Sequence, residues 1–319
     1  MTGTIVDVPG VLVGHAQDQE ALTGCSVLLL EQPSVCGVDV RGSAPGTRET
    51  DLLNPVNLVS VVHGICLSGG SAYGLDAATG VMQWLEEQGR GLDVGFGIVP
   101  IVPAAVLFDL SIGNPQVRPD RSMGYEACNR ASRDAVQQGN VGAGTGATVG
   151  KLNGFGQAMK SGLGSSSRSL ANGLVVGAMV AVNAVGHVFD PKTSEILAGP
   201  RAEQGDILDS VEVLSTHSVS PIPPGTNTTI AIVANNANLT KAEANKVAQM
   251  AHDGLARTIR PIHTMHDGDT IFAVATGGIQ TSVDLIGALS AEVLAEAVLS
   301  AVKHAEQAGG IPAYRDRNR

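Results

Sequence analysis

The chain has 319 residues, 43% hydrophobic and 16% charged, with 40 Gly, 15 Pro and a formal net charge of −10. That length supports one large α/β domain with a substantial core, and the acidic balance, with no block of Lys or Arg, argues against nucleic acid as a partner. Aromatic residues make up only 3%, so the core must be built from Ala, Val, Leu and Ile. The first fifteen residues lack a basic start followed by an apolar run, and no stretch of about 18 uninterrupted apolar residues occurs, so neither a secretory signal nor a membrane span is expected. Cys25, Cys36, Cys66 and Cys128 form no CxxC pair and no metal spacing, and read as small buried hydrophobes in a reducing cytoplasm.

In chain order, strands are predicted over 11–13, 25–30 and 35–40, punctuated by Gly10, Gly14 and Gly24. A polar loop over 41–51 carries Arg41, Arg48, Glu49 and Asp51, which tie it down or face a substrate. A strand over 59–67 runs into Ser68-Gly69-Gly70-Ser71, and Leu75, Ala78, Val81, Met82 and Leu85 give a helical period over 72–87, with Ser71 as its cap. Residues 98–110 form a strand with Pro100 and Pro103, suited to an edge or a bulge. Ser122 can cap a helix to Gln138. A glycine-rich run over 139–150 then delivers Lys151, and 174–189 reads as one or two strands. Residues 191–226 are loop-like, with a weak strand over 211–214.

The last third opens on an exposed linker. Pro221, Pro223, Pro224 and Gly225 exclude regular structure, and Thr228-Thr229-Ile230-Ala231-Ile232-Val233 begins a buried strand at once. Thr228 is either a strand-start residue or a nucleophile that becomes a chain terminus when the Asn227–Thr228 bond is cut. Thr240 and Glu243 form a capping box for a helix with Val247, Met250, Ala251, Leu255 and Ile259 on one face. A strand over 270–276 and a long Ala/Leu/Val-rich helix over 282–308 complete the chain. The mixture lacks strict βαβ alternation and predicts sheets covered by helices in a layered sandwich.

Three motifs compete for the chemistry. Gly150-Lys151 misses a phosphate loop, because Leu152 follows and Thr145 stands where the first glycine belongs. Gly69-Gly70-Ser71-Ala72-Tyr73 misses a nucleophile elbow, because Tyr73 stands where the last glycine is required. His263, His266, Asp267 and Asp269 offer metal-ligand types, but nothing places the two histidines on one helical face, and the carboxylates suit acid–base or orienting work equally well.

A set of ordered motifs decides between these readings: Gly10-Val11-Leu12-Val13-Gly14-His15, Ala44-Pro45-Gly46-Thr47-Arg48-Glu49-Thr50-Asp51, Leu67-Ser68-Gly69-Gly70-Ser71-Ala72-Tyr73-Gly74, Val102-Pro103-Ala104-Ala105-Val106-Leu107-Phe108-Asp109, Gly142-Ala143-Gly144-Thr145-Gly146, Asn227-Thr228-Thr229-Ile230 and Asp267-Gly268-Asp269-Thr270. Almost end to end, the chain resembles the self-processing L-aminopeptidase/D-esterase family, which includes β-peptidyl aminopeptidases and the endo-type 6-aminohexanoate oligomer hydrolase. The resemblance implies an α/β fold of four layers, αββα, shared with ornithine acetyltransferases, in one hydrolase domain over 1–319. It implies self-cleavage into 1–227 and 228–319, Thr228 as N-terminal nucleophile, Lys151 as active-site lysine and Asn183 as oxyanion holder. Asp267 and Asp269 match the aspartates of the nylon-oligomer branch. Phe108 departs from a tyrosine there, and Phe108 and Tyr73 are weaker candidates for the substrate pocket. No metal and no cofactor are implied; the expected partners are a small peptide or amide substrate and further copies of the cleaved chain, in the cytoplasm.

The residues support that chemistry themselves. A threonine at position one has its own α-amine as base, titrating near ~7.7–8.0, and a nearby lysine cation lowers that value further. Losing one oxyanion donor typically costs ~3 kcal/mol. The rivals are an ornithine-acetyltransferase-type acyl transfer, whose Ala-Thr-Met junction is replaced here by Thr226-Asn227-Thr228, a non-catalytic binding protein, and a metal hydrolase at 263–269.

Overall fold

The computed structural model describes residues 3–216 and 225–317. The prolines of the expected linker, Pro221, Pro223 and Pro224, lie outside the described residues. Among the described residues, nine strands form one hydrogen-bonded sheet: β1 (Val11–Asp18), β2 (Thr23–Val40), β3 (Thr47–Arg48), β4 (Val61–Ser68), β5 (Ala104–Val106), β6 (Leu163–Ser169), β7 (Val175–Asn183), β8 (Thr228–Ala237) and β9 (Thr270–Ile279). Their order is β6-β7-β8-β9-β2-β4-β5-β3, with β1 also pairing to β2.

The sheet folds over on β2. Its first part, from Thr23 to Leu30, lies between β1 and β4, and its last part, from Val35 to Val40, pairs with β9. The register against β4 shifts between Leu29 and Ser34, where Glu31, Gln32 and Pro33 are exposed. The sequence predicts two strands here because that polar break reads as a turn; it is a bulge within one 18-residue strand.

Period-2 alternation then divides the side chains among layers. Met179, Ala181, Ile230, Ile232, Phe272 and Val274 face the interior between the two halves of the sheet, where they meet Val11, Val13, Leu28, Leu30, Ile65 and Leu67. Their neighbours Ala178, Val180, Ala231, Val233, Ile271 and Ala273 face the other way, onto α4 (Lys241–Ala256) and α5 (Val283–His304). On the far side, Cys25, Val27, Leu29 and Cys66 pack on α1 (Ala77–Glu87) and α2 (Arg121–Asn129). The result is the expected four-layer αββα sandwich, and among the described residues its buried hydrophobic core is aliphatic apart from Phe272.

Capping chemistry sets several boundaries. The Thr240–Glu243 capping box is formed, and Ser282 caps α5 through the Leu285 N–H. Ser71 does not cap α1: it has φ +54°, follows Gly70 at φ +81°, and opens a 3-10 turn over Ser71–Asp76 before the helix. Asp120, not Ser122, caps α2 by accepting from the Met123 N–H. That helix stops at Asn129, because Ser132 exchanges backbone hydrogen bonds with Val13. The expected strand over 98–110 divides at its prolines into Ile98–Val99, paired in a hairpin, and β5. The weak strand over 211–214 is instead helix α3 (Ser210–Thr216), because Asp209 accepts from the Val211 N–H at 2.7 Å and outweighs the local β propensity.

Candidate active site

Thr228 is the first residue of β8, and all ten residues of that strand are buried. The alternation that sends Ile230 and Ile232 between the sheets puts Thr228 on the same face, at the strand's open end. Asn183, the last residue of β7, stands directly opposite Thr228 in the antiparallel ladder. Directly opposed side chains have Cβ atoms about 4.5–5.5 Å apart, so the hydroxyl and the amide share one small volume. The Thr228 hydroxyl donates to the carbonyl oxygen of Asn227, the peptide it would have to attack for self-cleavage.

Lys151 reaches this point from the glycine-rich run. Gly150, at φ +72°, turns the chain so that the Lys151 side chain is buried and its Nζ donates to Asn183 O at 2.8 Å and Asn183 Oδ1 at 2.9 Å. Thr148 N–H also donates to Asn183 Oδ1, at 3.1 Å. With the Thr148 hydroxyl at 3.5 Å, three donors on Oδ1 orient the amide, and Nδ2 donates to the Phe108 carbonyl at 2.8 Å. Burial pushes the Lys151 ammonium down to about 7; Asp267 pulls it upward, Lys160 lowers it further, and Asp269 raises it.

The two aspartates have different tasks. Asp269 Oδ1 accepts from the Thr229 N–H at 2.7 Å, which ties down the residue after Thr228. Its Oδ2 accepts from the backbone N–H of His263 at 3.0 Å and contacts that ring's Nδ1 at 2.8 Å. Asp267 Oδ2 accepts from the Thr264 N–H at 2.8 Å and the Thr264 hydroxyl at 2.6 Å, while Oδ1 is buried and without a partner. Burial, then the neighbouring charge of Asp269, raises the Asp267 carboxyl to about 6. Three of the four carboxylate oxygens are therefore engaged by protein donors. Among the described residues no group of three His, Cys, Asp or Glu side chains is placed to share a metal ion.

Gly268, between the aspartates, carries a part that sequence reasoning missed. Its N–H donates to the Asn227 carbonyl at 3.1 Å, so a backbone donor already sits on the oxygen that would become the oxyanion of a self-cut. A Cβ there would lie 2.6 Å from Ala44 O and 2.9 Å from Thr228 Oγ1. The signal was the glycine between two acids, legible only once Ala44 is known to lie over it. His263, a metal-ligand type by sequence, is here the partner of Asp269.

Lys151, Asn183, Asn227, Thr228, Asp267 and Asp269 are thus brought together, and Phe108 joins them through its carbonyl, its ring stacking on Phe155 at 6.4 Å. Tyr73 is not drawn in: its ring is 63% exposed and lies under the guanidinium of Arg118, 3.9 Å from the ring centre.

Known proteins resemble this chain along nearly its whole length. The model of peptidase family S58 matches residues 3–314. An uncharacterized aminopeptidase of Mycobacterium tuberculosis is 44% identical, over 98% of this chain and 97% of its own. A 6-aminohexanoate-oligomer endohydrolase of Kocuria sp. is 32% identical, over 93% of this chain and 85% of its own. Among solved structures, a Burkholderia beta-aminopeptidase superposes with a TM-score of 0.72 at 21% identity, over 98% of this chain and 91% of its own. The L-aminopeptidase D-Ala-esterase/amidase of Ochrobactrum anthropi, described as a variant of the Ntn hydrolase fold, gives 0.74 at 18%, over 98% and 90%. With the family model covering nearly the whole chain and aminopeptidase-named relatives matched along almost their full length, the chain is an aminopeptidase-like amide hydrolase and belongs to peptidase family S58.

Proposed function

We propose that this chain cleaves itself between Asn227 and Thr228 and then hydrolyses small peptides or amino-acid amides through an ester on Thr228. The observation that carries the reading is the Thr228 hydroxyl, buried at the end of β8 against the Asn227 carbonyl and facing the Lys151-bound Asn183.

In the self-cut, Thr228 Oγ1 attacks the Asn227 carbonyl carbon. Its proton passes to a base, the tetrahedral oxygen is held by the Gly268 N–H, and the C–N bond breaks as the Thr228 nitrogen takes up a proton. Water then hydrolyses the Asn227 ester. Lys151, pushed down to about 7, is in part a neutral amine at neutral pH and supplies the base while no α-amine is free. After the cut, the α-amine of Thr228 takes over that work on a substrate amide, forming an acyl ester and releasing the amine product, and water frees the acid. A protonated Lys151 nearby keeps that α-amine more neutral, and Asn183 Nδ2 has a second hydrogen for the substrate oxyanion.

The match to 6-aminohexanoate-oligomer endohydrolases favours a second substrate class for the same site, short amide oligomers cut internally. Incubating the purified protein with aminoacyl amides, β-peptides and 6-aminohexanoate oligomers separates the two. Release of single N-terminal residues supports the first, internal products the second, and no turnover of any of them refutes both. We further infer a cytoplasmic protein that assembles with copies of itself. Four free, buried cysteines support the first, and the fully exposed Phe96 with exposed Leu58 and Val56 supports the second; light scattering returning a single-copy mass would refute self-assembly.

A further inference from the structure

The glycine-rich run leads to a second buried lysine that no motif pointed to. Lys160 is fully buried, and its Nζ donates to the carbonyls of Thr145 at 3.0 Å and Ala147 at 2.6 Å. These carbonyls bracket Gly146, which is closed on another side by Asp109: a Cβ at 146 would lie 2.6 Å from Asp109 Cβ and 3.0 Å from its Oδ2. Asp109 is buried as well, and accepts from the Gly70 N–H and the Thr23 hydroxyl, both at 2.7 Å.

Both segments lead to Asn183. One residue beyond Ala147, the Thr148 N–H donates to Asn183 Oδ1, and one residue before Asp109, the Phe108 carbonyl accepts from Asn183 Nδ2. The two ends of the Asn183 amide therefore hang on backbone that is anchored by a buried charge, Lys160 on one side and Asp109 on the other. A buried ammonium held only by neutral carbonyls costs several kcal/mol of desolvation, whereas a neutral donor would hold a loop without that cost. What a cation adds is its field, and the other buried cation at this site is Lys151.

We propose that Lys160 is a positioning residue for the S58 reaction: through the Thr145–Thr148 backbone it fixes the Asn183 amide, and with it the acceptor on which the Lys151 ammonium sits. The proposal rests on the active-site reading of Lys151 and Asn183. The charged groups facing Lys151 are Asp267, Lys160 and Asp269, and the one facing Lys160 from the opposite segment is Asp109. Burial pushes both ammonium groups down to about 7; the Lys160 charge lowers Lys151 further, and Asp109 pulls Lys160 upward.

The test is a pH titration of the lysine side chains by NMR, with 13C at Cε, in the full-length protein, its Lys160→Met variant and its Lys151→Met variant, which assigns the signals. In the unsubstituted protein two lysines should titrate far below the others, with mutually broadened curves. In Lys160→Met the Lys151 midpoint should move to higher pH, and kcat should fall at least tenfold with KM within twofold of the parent. A purely structural Lys160 would leave the Lys151 midpoint in place, and that result overturns the proposal. Should Lys160→Met not fold, the unsubstituted protein decides: two depressed, interacting lysines support the coupling, and two independent titrations or a single depressed lysine overturn it. Undiminished turnover in Lys151→Met would defeat the active-site reading itself, a result distinguishable from loss of the coupling.

Discussion

Burying Lys151 has a consequence for stability that can be measured apart from catalysis. The ammonium titrates near 10.5 when exposed and near 7 in the folded chain, where burial is the leading cause. A lowered lysine value means that the unfolded chain binds the proton more tightly. The folded state is therefore penalised most below pH 7, and the penalty fades as pH rises towards 10.5. Between pH 7 and 9 the linkage relation restores about 2 kcal/mol to the folded state from this one group. Lys151→Met removes the term, together with the three donations to Asn183 O, Asn183 Oδ1 and Ala184 O. Lost hydrogen bonds shift the variant's stability by a nearly constant amount, whereas the proton term changes with pH. The comparison belongs in a Thr228→Ala background, so that both proteins are uncut chains. Urea unfolding at pH 7, 8 and 9 should show the lysine-containing chain gaining on the methionine chain by about 2 kcal/mol in all. A difference that stays flat across that range would refute the buried-ammonium reasoning.

Other expectations follow from single contacts. Gly268→Ala places a methyl against Ala44 O and Thr228 Oγ1; it should cost about 1–3 kcal/mol in urea unfolding and stop self-cleavage on a denaturing gel. Normal cutting by that variant would remove Gly268 from the oxyanion arrangement. Asn183→Ala leaves Lys151 and the Thr148 N–H without their shared acceptor, and kcat on an aminoacyl amide should fall by about 10²–10³. A drop below threefold would contradict the role given to Asn183. Asp269→Asn weakens the acceptor for Thr229 N–H and for both His263 donors, at a cost of about 1.5–3 kcal/mol, and should slow cutting in a folded protein; unchanged stability and rate would show that the anchor is idle.

Much of the architecture was legible because local chemistry and tertiary packing agree. The β-branched run from Thr228 makes a buried strand, the Thr240–Glu243 box starts α4, and the Ser282 cap starts α5. Where they disagree, a neighbour decides. Asp209 turned a β-branched stretch into α3, and Ser132 was claimed by Val13 before the helix could continue. The site divides in the same way. Thr228 and the two aspartates belong to motifs of recognisable type, Lys151 closes the glycine-rich run, and Asn183 was reached only through the family resemblance. Gly268, Lys160 and Asp109 matter through what packs on them, and that depends on loops and strands distant in sequence: Ala44 over Gly268, Thr145 and Ala147 on Lys160, Gly146 against Asp109. Tyr73 shows the converse, a motif residue that the fold leaves on the surface.

The central claim is the bond that breaks, and N-terminal sequencing with intact mass of the purified protein tests it directly. The account predicts two chains that stay together until denatured, the smaller beginning Thr228-Thr229-Ile230, and one uncut chain for Thr228→Ala. A wild-type protein that stays in one piece after prolonged incubation, or a small chain beginning at any other residue, would contradict it.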